Sequence, residues 1–408
     1  MDKLPKGWEL IELSSLCEFE NGDRGKNYPS KSSFVDSGVP FINAGNLSNN
    51  KVDTINLNYI SEAHYNKLSN GKLKYGDVVF CLRGSLGKFA VVDRELKGAI
   101  ASSLVIVRPK ENLYLSFLNA YFQSSISKKY IDLYDNGSAQ PNLSAASLRK
   151  FKIPLPPLPE QKRIVSKLDA LFERIDKSMA LLEENITHTE SLTASALDEI
   201  FIKLESKSKV YKISDFADIK GGKRLPKGLK VQEEKTDYPY IRVADFQDNG
   251  TVDLSSLQYI TKEAHKQIKR YIINPEDLYI SIAGTIGKTG MIPNELKGAN
   301  LTENAARFVF KSDFEINNKF IYYFTLSDNF KTQIADATKT VAQPKLALTR
   351  LKEVELPIPD IGLQNKAVER FNRLSTNTYE IAQEQQNKLN NLKALKESIL
   401  DKAFKGEI

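Results

Sequence analysis

Glycine, lysine and threonine stand together at GTIGKT (284–289), a composition that could cradle a phosphate. A nucleotide-binding loop needs G-x-x-x-x-G-K-[ST], because its backbone N–H groups must wrap the phosphates and its hydroxyl must reach the metal. Here Ile282 stands where the first glycine belongs, and the parallel stretch GSLGKF (84–89) ends in Phe89, which has no hydroxyl. DYPY (237–240) approaches an adenine-methylation motif, but Tyr238 replaces its first proline and no Gly-rich cofactor loop follows a strand. His64, His188 and His265 lie far apart, and Cys17 and Cys81 lack zinc-ligand spacing. The expectation is a chain with no catalytic residue, metal or cofactor of its own.

The chemistry that remains is contact with a polyanion. Lysine and arginine suit phosphates, while arginine, asparagine, glutamine and serine on exposed loops can read base edges. NGDRGKNYPSK (21–31) and GGKRLPKGLK (221–230) are Gly-rich basic loops that carry Arg24, Lys26, Lys223 and Arg224. NAGNLSNN (43–50) and RVADFQDN (242–249) carry Asn43, Asn46, Arg242 and Asp245. LRGSLGK (82–88) carries Arg83, Ser85 and Lys88, and its counterpart carries Thr285 and Lys288. Residues common to both members of a pair, Arg24 with Arg224 and Lys88 with Lys288, are assigned to phosphates. Those that differ, such as Arg83 against Ala283, are assigned to base reading. The competing reading of each loop is a solvated turn.

These loops need a frame, and the chain writes its frame twice. LSSLCEFENGDR (13–24) faces ISDFADIKGGKR (213–224), and GDVVFCLRGSLGK (76–88) faces EDLYISIAGTIGK (276–288), both at an offset of 200. AQPNLSAASLRKFKIPLPPL (139–158) returns as AQPKLALTRLKEVELPIPDI (342–361) at an offset of 203, which then holds through SALDEIF (195–201) and SILDKAF (398–404). Small insertions in the front of each copy suit surface loops. The constant offset behind them demands an element of fixed length. The front of each copy alternates short β-branched and aromatic runs with Gly, Asn and Asp clusters, which predicts strands and turns. Short helical stretches are expected near 62–69, 114–131 and 315–335.

The back of each copy predicts one long helix. Apolar or small residues recur at Ile164, Leu168, Leu171, Ile175, Ser178, Leu182, Asn185, Thr189, Leu192 and Ala196, a heptad rhythm. The second copy runs Phe371, Leu374, Thr378, Ile381, Gln385, Lys388, Leu392, Leu395 and Ile399. A lone helix with one apolar stripe needs a partner, and the other copy supplies it, running antiparallel. The alternative packs each helix on its own domain. The expected fold class is α+β: two similar globular domains separated by an antiparallel coiled coil of two long helices, an internal pseudo-two-fold repeat. Its parts are 1–158 (first domain), 159–205 (central helix), 206–361 (second domain) and 362–408 (second long helix). The Ala-Gln-Pro segments read as structural, since Pro141 and Pro344 fix the local backbone, against a partner interface as the competing reading.

Composition agrees. The net charge is +7 with a pI near 9.0, which permits nucleic-acid binding. The excess is uneven: 26 Lys+Arg against 25 Asp+Glu in 1–205, but 32 against 26 in 206–408. Cys17 and Cys81 read as reduced core thiols. With no apolar run of about 18 residues and no apolar stretch near the start, a cytoplasmic protein without a membrane partner is expected.

The order AQPNLS, IPLPPLPEQKRIV and long helix, all doubled, resembles the DNA-specificity subunit of type I restriction-modification systems. The GDVVFCLRGSLGK element and the ending SILDKAFKGEI resemble it as well. The second copy, LPIPDIGLQNKAV, departs by lacking the Pro-Pro and the Glu-Gln pair, so a shared role for Glu160 is not implied. The resemblance implies two target-recognition domains, each reading half of a bipartite site in double-stranded DNA. It implies a rod that sets the spacer and docks two adenine methyltransferase (modification) subunits. In a restriction complex, endonuclease/translocase subunits join, two in number. S-adenosylmethionine, ATP and magnesium then belong to those partners. The rival readings are a methylation-only system and a coiled-coil scaffold that binds no DNA.

Overall fold

The computed structural model describes residues 4–137, 141–338 and 345–408, with only the backbone of Glu190. Pro141 is thus described, whereas Ala139, Gln140 and the second Ala-Gln-Pro, including Pro344, lie outside the described residues. The chain divides into two compact units, Met1–Glu183 with Asn387–Ile408, and Glu184–Gln386. Among the described residues no helix is long and apolar enough to cross a membrane.

Unit 1 is built on a six-stranded sheet in the order Cys17–Asn21, Leu104–Pro109, Val78–Cys81, Phe89–Val91, Lys51–Val52, Leu47–Ser48. Its central strands are buried on both faces, which explains their continuous apolar runs. Alternate side chains go to opposite sides, as a strand requires. Val78, Phe80, Val105 and Val107 pack with Phe117 and Tyr121, from the helix Leu115–Gln123. Val79, Cys81, Leu104 and Ile106 pack with Ile42, Leu47 and Ile100 on the other side. A four-stranded sheet follows in the order Ala99–Ile100, Val39–Ile42, Asn58–Ile60, Phe34–Val35. Both cysteines are buried and unbridged, and burial pushes the Cys17 thiol up to about 12.

Unit 2 repeats the plan with fewer strands. Its main sheet runs Ala217–Gly221, Ala305–Phe310, Leu278–Ser281, Thr289–Met291. Leu278, Ile280, Ala306 and Phe308 face one cluster, and Tyr279 and Ala305 face another. In both units a two-stranded ribbon, Glu9–Glu12 with Lys152–Leu155 and Lys209–Lys212 with Glu355–Ile358, leads into a long helix.

Those helices are α1 (Leu158–Glu205) and α2 (Ile361–Lys405). Each begins in one unit and ends in the other. In unit 1 an Arg163 Nη donates to the main-chain oxygen of Ile408 (2.5 Å) and Lys396 Nζ to Asp176 (2.6 Å). In unit 2 Thr189 meets Gln385 (3.3 Å) and the Phe201 and Phe371 rings stack at 5.2 Å. Numbers rise along α1 as they fall along α2, so the pairing is antiparallel.

The heptad seam differs from expectation after Ile175 and Thr378. Ser178, Asn185 and Leu192 are exposed, Leu192 by 62%. Met179, Ile186 and Thr193 take the inward positions. In α2, Ile381, Lys388 and Leu395 are exposed, and Ala382, Leu389 and Lys396 turn inward. Two consecutive steps of four replace the expected three, which is a stutter. It falls at equivalent places in the two helices, 175 to 179 and 378 to 382, and it exchanges Ser178 and Asn185 for apolar Met179 and Ile186.

Each helix is locked to its domain by one buried glutamine. Gln161 accepts from Tyr114 N–H (2.8 Å) and donates to Asn112 O (3.0 Å) and Pro156 O (2.9 Å). Gln364 accepts from Asn317 N–H (2.8 Å) and donates to Glu315 O (3.3 Å) and Pro359 O (2.9 Å). The Glu-Gln pair is absent from the second copy, yet its glutamine survives at the 203 offset. Gln161→Ala or Gln364→Ala strands buried backbone groups and is expected to cost about 1–3 kcal/mol, read as a lowered denaturant midpoint. Glu160, by contrast, is a half-buried residue whose carboxyl is held low by Arg163.

Candidate nucleic-acid interface

The loops singled out in the sequence occupy matched places in the two units. The first basic loop leaves the strand Cys17–Asn21 in unit 1 and Ala217–Gly221 in unit 2. A Cβ at Gly22 would overlap the backbone of Ala101, and one at Gly222 would overlap that of Thr302. The chain can cross there only as glycine. Buried Asp23 then fastens the unit 1 loop, accepting from Gly25 N–H (2.8 Å) and Ser69 N–H (2.9 Å). Those two donors hold its carboxyl below the usual aspartate range.

Arg24 Nη donates to Ser102 O (3.2 Å), and Arg224 Nε to Glu303 Oε1 (2.6 Å). Both stay exposed, as do Lys26 and Lys223. Lys223 also lies over the Tyr271 ring at 5.7 Å. Two of the histidines pack locally: His64 Nε2 meets Asn27 O at 2.8 Å, and His265 Nδ1 meets Asn300 Oδ1 at 2.7 Å.

The second pair of loops changes its meaning. Asn46 and Asp245 are buried. Asn43 N–H donates to Asn46 Oδ1 (3.0 Å), and Arg242 N–H to Asp245 Oδ2 (2.7 Å). Asn46 Nδ2 donates to Asn56 O (2.9 Å), while in unit 2 an Arg242 Nη donates to Ser256 O (3.1 Å). Arg242 also forks onto Asp245 (2.6 and 3.2 Å). Two asparagines in one unit and an Arg–Asp pair in the other therefore close the same turn. The divergence taken as a sign of base reading is a change of internal chemistry: Asn46 and Asp245 are turned inward, and Arg242 is largely spent on holding its own loop.

The third loop is the tip of an antiparallel hairpin, Val78–Cys81 with Phe89–Val91 and Leu278–Ser281 with Thr289–Met291. Gly84 and Gly87 have φ of +79° and +79°, and Gly284 and Gly287 have +75° and +88°. Only glycine adopts such angles without strain, so G-x-x-G here is a turn requirement. Arg83, Ser85, Lys88 and Thr285 are exposed. Lys88 makes no ion pair among the described residues, but Lys288 pairs with fully exposed Asp248 at 2.8 Å. Among the described residues no group of three or more His, Cys, Asp or Glu could hold a metal ion.

Sequence reasoning passed over three residues that these loops depend on: Asn142 and Lys345, which face the hairpin tips, and Glu303. The first two were visible as the one difference between AQPNL and AQPKL.

The sequence profile of the type I restriction modification DNA specificity domain matches twice, over residues 5–187 and 205–391. The chain therefore belongs to the family of type I restriction-modification DNA specificity subunits. It is a DNA sequence-recognition subunit, and catalysis lies in other subunits. The Escherichia coli K12 EcoKI specificity subunit is 23% identical over 100% of this chain and 90% of its own length. The Escherichia coli EcoBI specificity subunit is 30% identical over 72% of this chain and 64% of its own length. Among solved structures, one chain from work on assembly and conformational transition of the type I R-M system matches with a TM-score of 0.81, at 22% identity and 100% coverage of both chains. The HsdS subunit of Thermoanaerobacter tengcongensis matches with a TM-score of 0.56 at 22% identity, over 100% of this chain and 98% of that one.

Proposed function

We propose that each unit reads one half of a bipartite duplex target, that α1 and α2 set the spacer, and that the helices dock two adenine methyltransferase subunits. Endonuclease/translocase subunits join these where restriction accompanies methylation. The observation that carries this reading is the doubling itself: matched loops on matched frames, followed by helices of equal repeat offset that stutter at the same place. A single recognition event would not require two frames, and a mere scaffold would not require basic Gly-rich loops in both. Exposed Arg24, Lys26, Lys223, Arg224 and Lys88 suit phosphates; Lys288 reaches one only by leaving Asp248. Ser85 and Thr285 differ at the hairpin tips and suit base edges. Two readers on one face of a duplex would place half-site centres about one helical turn, or 10 base pairs, apart.

The test is methylome sequencing of a host expressing this chain with its methyltransferase subunits. A two-part motif with unrelated halves is expected. Replacing residues 4–157 with the same region of another family member should change one half only. A change in both halves together would refute the two-reader scheme.

A further inference from the structure

Each unit closes its hairpin tip against the short extended segment near the start of the repeated passage. In unit 1 Arg83 forms an antiparallel bridge with Asn142, and Arg83 Nε donates to Asn142 Oδ1 at 3.1 Å. In unit 2 the bridge joins Ala283 to Lys345. The next backbone bonds match as well: Leu143 N–H to Leu82 O and Leu346 N–H to Ile282 O, both 2.9 Å. Position 83 therefore corresponds to 283, and 142 to 345.

One member of each facing pair is a cation, and the strand that supplies it switches. Unit 1 has Arg83 opposite Asn142, and unit 2 has Ala283 opposite Lys345. Directly opposed residues of an antiparallel pair have Cβ atoms about 4.5–5.5 Å apart. A long cationic side chain from either strand thus covers the same patch, and both Arg83 and Lys345 are exposed. The switch keeps the charge and its place. It keeps neither the number of donors nor their planar fork, which bidentate reading of a base edge requires. Both cations bind phosphate, the guanidinium as a fork and the ammonium as a point charge.

We propose that this bridge carries one phosphate-binding cation per unit, supplied by Arg83 from the hairpin in unit 1 and by Lys345 from the opposite strand in unit 2, and that its ligand is the backbone of duplex DNA. The proposal rests on the DNA-reading function above and narrows it. It moves Arg83 from base reading to backbone contact, because the divergence from Ala283 is offset across the bridge.

The experiment uses the full chain assembled with its methyltransferase subunits and follows binding to target and unrelated duplexes across a salt series. Lys345→Ala should flatten the plot of log affinity against log salt by about one unit on both duplexes. Lys345→Arg should keep the slope, and adding Ala283→Arg to Lys345→Asn should restore it. An unchanged slope for Lys345→Ala, or a loss of base discrimination at constant slope, overturns the proposal. If the unaltered complex itself shows no salt-dependent duplex binding, the DNA reading fails and the proposal with it.

Discussion

Asp277→Ala is expected to lower the stability of unit 2 by about 3–5 kcal/mol, seen as a large fall in denaturant midpoint for the full chain. Asp277 and Arg307 form an ion pair with side chains only 4% and 11% exposed. The carboxylate also accepts the Asn274 N–H at 2.9 Å. Removing it leaves a guanidinium in a low-dielectric interior with no counter-charge and orphans a backbone donor as well. Two buried charges need not stabilise relative to apolar residues, so Asp277→Ala with Arg307→Met should recover much of the loss. A surface pair gives the contrast: breaking Lys203–Glu199, where both side chains are about 60% exposed, should leave the midpoint where it was. If Asp277→Ala proved equally silent, the pair would have to be open to water.

Adding four residues to both long helices, after Leu182 in α1 and after Asn390 in α2, should lengthen the unspecified spacer by one or two base pairs and leave both half-sites unchanged. Four residues span about 6 Å of helix, and a base pair rises about 3.4 Å. The insertion must be made in both helices because they run antiparallel. Lengthening α1 alone could not preserve both the Asp176–Lys396 contact of unit 1 and the Thr189–Gln385 contact of unit 2. Four is the tolerable number, since it adds a second stutter like the one already present, and three or five would rotate the seam outward. Methylome sequencing of the variant reads both outcomes. An active complex with the original spacer would show that the helices are not the ruler.

The repeat, the sheets and the antiparallel helices were legible because each rests on a period: 200 or 203 residues for the copies, two for a strand, seven for the seam. Legibility failed where a period slips or is absent. Extending the heptad beyond Ile175 chose Ser178 and Asn185, although apolar Met179 and Ile186 stood one place further on and marked the slip. Nothing periodic says that Asn46 and Asp245 point inward, because a turn-closing side chain and a base-reading one use the same residue types. The 203 offset aligns Gln161 with Gln364, but the loss of the neighbouring glutamate in the second copy hid what the pair does. Lys345 was likewise on view, and only the bridge to Ala283 gives it a meaning.

The division of the long helices between units has a consequence for synthesis. Unit 1 is discontinuous, with its core closed by Leu400, Ala403 and Phe404, whose ring lies 5.0 Å from that of Phe117. Unit 2 draws on Glu184–Gln386 alone. As the chain leaves the ribosome, the domain made first cannot be finished until residues 387–408 emerge, and the domain made second is ready before it. Nascent unit 1 must therefore hold an open apolar groove throughout the translation of unit 2, the interval in which it is most exposed to aggregation and to capture by chaperones.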